Sequence, residues 1–407
     1  MKYCLLAVCL VVLDSAHAAD WPTWRGVHRD GLSSETGLVK EWPADGPAAV
    51  WVSKEAGLGY SGFAVVADRF YTMGADGQQE FLMAFDATSG KRLWKTEIGQ
   101  RLENGWGDGP RGTPTVAGDL VVGLGGNGRL VCATLQGDIK WSAEMTELGG
   151  SVPKWGYSES PLVDGDLVLC TPGGDQGTVV AFDLKSGEKK WQSAGVTEGA
   201  HYSSIIAVDH FGKHQYIQLT QNKVFGLDND GQKLWDAEWP LGRTAVIPTP
   251  IYHDGYVYVT SGYGAGCMCL KVDAENNVEK LYDNKVMKNH HGGVIRVGEF
   301  IYGHSEGPGW ICQNMVSGEM IWNEKSKLGK GAIAIADGMM YCLDEQSGTC
   351  VLAEVTSEGW KEHGRFVLAP QTEQRSTRGK VWTHPVIANG RLYLRDQEII
   401  VCYDIQN

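Results

Sequence analysis

The chain has 407 residues, a formal net charge of −13, 54 glycines and 15 tryptophans. That acidic balance excludes the basic footprint that nucleic acids and anionic lipids require. Abundant glycine and tryptophan, without sustained helical periodicity, predict many short strands joined by turns.

The first 19 residues read as a secretory signal: Lys2, an apolar run from Tyr3 to Leu13, then the small residues Ala16 and Ala18 before the cut. Export to the periplasm or the exterior is expected, with no membrane span in the mature chain. Cys4 and Cys9 leave with the signal. The other eight cysteines sit mostly in apolar strand patterns such as Leu167-Val168-Leu169-Cys170 and read as small buried hydrophobes. Cys342 and Cys350 flank a predicted hairpin, which leaves a disulfide open. Cys267-Met268-Cys269 lacks a second ligand pair, so no metal site is predicted there.

Residues 20–46 carry Trp21, Trp24 and Trp42 among turn formers and read as an ordered arm packed across a repeat array. That array, residues 47–407, is one repeated unit, opening on a lone strand that ends at Val50-Trp51. The stretch from Ala84-Phe85-Asp86 through Gly90 to Trp94 returns at Ala181 to Trp191 and Gly226 to Trp235, and more loosely at Gln313 to Trp322 and Arg129 to Trp141. Its period of about 44 residues lies in the range of propeller arrays. A second mark keeps the same register. Turn dipeptides such as Asp164-Gly165, Asp254-Gly255, Asp337-Gly338 and Asn389-Gly390 separate apolar runs, as two-residue hairpins demand.

Counting hairpins predicts an all-β, eight-bladed propeller of four-stranded antiparallel blades, with seven blades the alternative. The last unit has three strands before the chain stops. The strand at Val50-Trp51 would supply its fourth and close the ring.

The Ala-x-Asp-x-x-x-Gly-x-x-x-Trp pattern resembles the tryptophan-docking motif of the pyrroloquinoline-quinone-like propeller repeats, found in quinoprotein dehydrogenases and in the outer-membrane protein assembly lipoprotein. The resemblance implies that Trp51, Trp94, Trp141, Trp191, Trp235 and Trp322 are docking residues packed between blades. It implies pyrroloquinoline quinone with calcium as the cofactor of the enzymatic branch only. The chain lacks the adjacent cysteine pair of the alcohol-oxidising members and is shorter than they are. The N-terminal Trp21-Pro22-Thr23-Trp24-Arg25-Gly26 also resembles the arm of such exported propellers.

Segments just before the innermost strands of a propeller face its central funnel. They carry Tyr60, Arg111, Trp155, Tyr157, Glu159, His201, Arg243, Asn289, His290, His291, Lys330, Trp382 and His384. The cations would clamp acids and the tryptophans stack on planar groups. Glu159 and His384 are the candidates for a catalytic base. His290-His291 has no spaced third ligand, so no metal is predicted. The glycine-rich runs at Gly123 to Gly128 and Gly262 to Gly266 join strands and open no helix, which excludes a nucleotide loop.

The expectation is an exported, monomeric binding or scaffold module whose funnel takes a small anionic ligand or an envelope or extracellular protein. The alternatives are a small quinoprotein oxidoreductase acting on alcohols or sugars, and a carbohydrate-binding or carbohydrate-cleaving propeller.

Overall fold

The computed structural model describes residues 19–239, 242 and 244–407. The signal reading, but for Ala19, and the candidate Arg243 lie outside the described residues. The described residues form eight sheets, each a four-stranded antiparallel blade, one of them extended by a fifth, parallel strand from the arm. Blade 1 starts at Ala64–Val66, blade 2 at Thr115–Ala117, blade 3 at Leu162–Asp164 and blade 4 at Ile206–His210. Blades 5 to 8 start at Ile251–His253, Val294–Val297, Gly331–Ala336 and Val386–Ala388. Blade 8 takes its outer strand from Ala49–Ser53, which pairs antiparallel with Ile399–Asp404. The two ends of the blade array are therefore clasped in one sheet, and closure removes the exposed edge that an open array would leave.

Strand alternation sends successive side chains to opposite faces of each blade, so the core lies between blades. Tyr71 and Leu82 of blade 1 meet Val121 and Val131 of blade 2. Leu169 of blade 3 meets Tyr216 and Phe225 of blade 4. Ile400 and Cys402 of blade 8 meet Phe63 and Phe70 of blade 1. All eight cysteines of the described residues are free and buried. Cys342 packs into the core shared by blades 6 and 7, and Cys350 into that shared by blades 7 and 8. They lie on opposite faces of one sheet, which rules out the bridge that the hairpin spacing left open.

Each blade has a bulge in the pairing of its two outer strands, directly beside the repeat position that the tryptophans occupy. From there Trp51, Trp94, Trp141 and Trp322 donate their indole N–H to the carbonyls of Ala87, Leu135, Leu184 and Thr356 in the following blade, at 2.8 to 2.9 Å. The turn glycine beneath is required. A Cβ on Gly90 would stand 2.4 Å from the Trp51 ring, and one on Gly231 2.4 Å from Trp191. Trp235 differs, donating to Gln215 within its own blade. Blade 5 substitutes Tyr282, whose hydroxyl donates to the Met315 carbonyl at 2.6 Å. In blade 7 the position is Gly364, and Trp42 of the arm fills the space.

The arm crosses the inner strands of most blades. Trp21 bridges to Val65, the Pro22 carbonyl accepts from Val116 N–H, and Leu32–Ser33 adds a parallel strand to blade 7. Arg29 donates to the carbonyls of Ser160 and Pro161 in blade 3, and Arg25 to that of Val294 in blade 6. Both guanidinium groups are buried, and burial pushes each down to about 10. They remain charged at neutral pH, tying blades on different sides of the ring to one segment. No helix of the described residues is long and apolar enough to cross a membrane.

Candidate functional site

Where the arm crosses the ring, one mouth is left as a cup of about 280 Å³. Its floor is Trp24, whose N–H donates to the Thr249 hydroxyl at 2.9 Å and whose ring meets His384 edge-on at 4.7 Å. One wall is Tyr60, Trp106 and Trp382. The Tyr60 and Trp382 rings are 5.0 Å apart, and the Tyr60 hydroxyl donates to the Trp106 carbonyl at 2.7 Å. A second wall is Trp155 against Tyr202, with ring centroids 5.7 Å apart. Tyr263, 42% exposed, and Trp106, 41% exposed, stand at the rim.

Arg111 is the one fixed charge among the described lining residues. Its Nη1 and Nη2 donate to the carbonyls of Gly109 and Gly107 at 3.0 and 2.9 Å, and it lies 5.3 Å from the Tyr60 ring. No carboxylate pairs with it among the described residues. Burial lowers its proton affinity, opposed by the nearby Tyr60 hydroxyl and by more distant acids.

Two histidines at the cup, His384 and His201, are neutral at physiological pH. Burial pushes His384 down to about 3 and His201 down to about 4. His384 Nε2 lies 2.7 Å from the His291 carbonyl, while His201 Nδ1 accepts from Val246 N–H at 2.9 Å. His291 packs on Trp382 at 4.8 Å.

Acidic groups stand behind this lining. The Trp382 indole N–H donates to Glu345 at 3.1 Å, and Glu345 is also paired with Lys330 at 3.1 Å. His290 bonds to Glu306 and packs on Tyr263 at 4.2 Å. Lys330 and His290 are therefore engaged outside the lining, as is Asn289, which donates to the His304 carbonyl at 3.0 Å.

Alternation along the chain decides the other candidates. In Tyr157-Ser158-Glu159-Ser160 the two serines line the cup. Tyr157 turns into the core between blades 2 and 3, its hydroxyl donating to the Pro172 carbonyl. Glu159 is buried, accepting from Thr171 N–H at 2.6 Å, from the Thr171 hydroxyl and from Gln218. It is a structural carboxyl at a blade junction and does not reach the cup as a base. The same alternation sets Tyr202 and Ser204 in the lining and leaves His201 out of it.

Sequence reasoning misses Trp24, Trp106 and Tyr263, and from the funnel segment His201-Tyr202-Ser203 it takes His201 where the lining residue is Tyr202. Trp24 reads as part of the arm alone, and Tyr263 sits in a glycine-rich turn that resembles a nucleotide loop only superficially. One signal is present. Tyr60, Trp106, Trp155 and Tyr202 recur at close to the repeat interval, each before an inner strand.

The donor set does not fit pyrroloquinoline quinone with calcium. Calcium needs several oxygen ligands with carboxylates among them, and the described lining offers none; no group of acidic, histidine or cysteine side chains suited to a metal occurs among the described residues. Among the described lining residues one guanidinium would also face three acids. What the described lining can do is hold a planar or apolar group among aromatic faces and steer it with the positive charge of Arg111.

Comparison with known proteins adds lineage to this geometry. The family model described as outer membrane protein assembly factor BamB matches residues 78–324, more than half of the chain. A curated outer membrane protein assembly factor BamB of Burkholderia pseudomallei is 31% identical over 169 residues, which span 40% of this chain and only 38% of that protein. Among solved structures, BamB from Moraxella catarrhalis matches with a TM-score of 0.60 at 17% identity, covering 85% of this chain and 94% of that one. A quinohemoprotein alcohol dehydrogenase from Comamonas testosteroni matches with a TM-score of 0.64 at 12% identity, covering 94% of this chain and 80% of that one. At such identities the two structures bear on the fold alone.

Proposed function

The chain belongs to the outer membrane protein assembly factor BamB family, and from that premise we propose that it is an exported binding and scaffold module of the cell envelope, with the central cup as its recognition site. The observation that carries this reading is the rigid aromatic cup itself, in a ring closed by Ala49–Ser53 and braced from within by Arg25 and Arg29. Aromatic anchors in a preformed concavity, with exposed apolar faces at the rim, are what a binding site requires. The secretory signal over residues 1–19 and the acidic surface accord with a place in the periplasm or outside the cell. The name of the matched family supports a protein partner in outer-membrane assembly.

The test is genetic and quantitative. Deleting the gene in its native host should lower outer-membrane protein content. A plasmid copy of the wild type should restore it, and a copy carrying Trp155→Ala and Trp382→Ala should not. Unchanged content after deletion would remove the assembly role, and full rescue by the double variant would move recognition away from the cup.

A further inference from the structure

The cup has three properties that together select a ligand class. Its lining presents two aromatic groups, Tyr60, Trp106 and Trp382 in one and Trp155 and Tyr202 in the other. Its one fixed charge among the described lining residues, Arg111, is held by backbone carbonyls and has no carboxylate partner. A half-buried cation without a carboxylate partner favours any anion that can reach it.

The third property is a surplus of donors. The Ser160 and Ser204 hydroxyls each accept a backbone N–H, from Thr113 at 2.9 Å and from Ser160 at 3.1 Å, which leaves their own O–H groups free to donate. Both line the cup. Together with the guanidinium they face a lining that contains no carboxylate among the described residues.

We propose that the cup binds a small planar aryl monocarboxylate, its ring between the aromatic walls and its carboxylate on Arg111. The proposal rests on the cup being the recognition site and names what that site takes. A volume of about 280 Å³ lies at the lower end of ligand pockets, which suits one or two rings. A neutral sugar would find aromatic faces but no carboxylate of the described lining to accept its hydroxyls. A planar triacid would find, among the described lining residues, one cation for its three carboxylates. Burial holds His384 neutral at physiological pH, so it adds no charge beside Arg111.

Ferulate is the probe, titrated into the whole mature protein with calorimetry and tryptophan fluorescence as readouts. Its methyl ester, cellobiose and pyrroloquinoline quinone are titrated in parallel. Ferulate should bind about tenfold or more tightly than its ester, since a hydrogen-bonded charge pair is lost on esterification. Arg111→Gln should bring ferulate down to the level of the ester. The ester comparison uses the unaltered protein, so it stands if the variant fails to fold.

Equal binding of acid and ester would overturn the proposal, as would tighter binding of cellobiose or the quinone, or no heat and no quenching at millimolar ferulate. Rescue of the deletion strain separates the two readings. Ferulate failing while the wild type rescues removes only the ligand class, and ferulate binding without rescue removes only the assembly role.

Discussion

The indole N–H of Trp24 lies 2.9 Å from the hydroxyl of Thr249, so a residue of the N-terminal arm is tied to blade 5 at the floor of the cup. The arm is thus part of the site. Trp24→Phe removes this bond while keeping an aromatic floor, and it should cost about 1 kcal/mol of stability. Thermal unfolding of the variant measures it; an unchanged midpoint would show that the arm is not anchored there.

Glu159 gives a pH signature. Burial raises its carboxyl to about 7, against the opposing hydrogen bonds of Thr171 and the charge of Arg29. An acid with a folded pKa above its unfolded value binds more protons folded than unfolded. Stability from this group is therefore present below about 4.5 and is lost as pH rises through about 7, amounting to about 3 kcal/mol. Urea unfolding at pH 5 and pH 8 should show a smaller difference in Glu159→Gln than in the wild type. An identical difference would mean that Glu159 is ionised throughout.

How much of the molecule is legible in its sequence depends on range. The repeat, the hairpin turns and the fourth strand at Val50-Trp51 rest on local signals and a count, and the eight-bladed ring comes from them. Asp254 and Asn389 show why: each takes a positive φ, 46° and 55°, at the first turn position. The route of the arm is not legible, because Arg25 finds its carbonyl 269 residues away and Arg29 finds one 131 residues away. Nor is the face of each funnel residue. A segment can be placed at the mouth by its position in the repeat, yet a shift of one residue turns Ser158 into Glu159 and the cup into the blade interior.

The docking tryptophans divide into two kinds. Trp51 donates to Ala87 at 2.9 Å, whereas the buried Nε1 of Trp191 has no partner. Trp51→Phe should therefore cost about 1 kcal/mol more than Trp191→Phe, since only the first strands a carbonyl. Chemical denaturation of the two variants compares them directly, and equal costs would show that stacking alone carries the docking.

Arg395 is fully buried and clamps blade 8 to blade 1, donating to the Ser61 carbonyl at 2.9 Å, the Thr72 hydroxyl at 2.8 Å and the Met73 carbonyl at 2.8 Å. Burial pushes it down to about 9. Arg395→Met leaves those acceptors unpartnered and should destabilise by about 3 kcal/mol. A loss under 1 kcal/mol in urea would mean that water replaces the clamp.

Recognition at the cup is tested most directly by position-resolved crosslinking in living cells. A photoreactive phenylalanine analogue replaces Trp106 at the rim or, as the control, Met320 on the outer strand of blade 6, where the side chain is 44% exposed. Crosslinks from position 106 to a component of the outer-membrane assembly machinery, absent from position 320, are the predicted result. Crosslinks to such a component from position 320 alone would contradict it and place recognition on the outer edge of the ring.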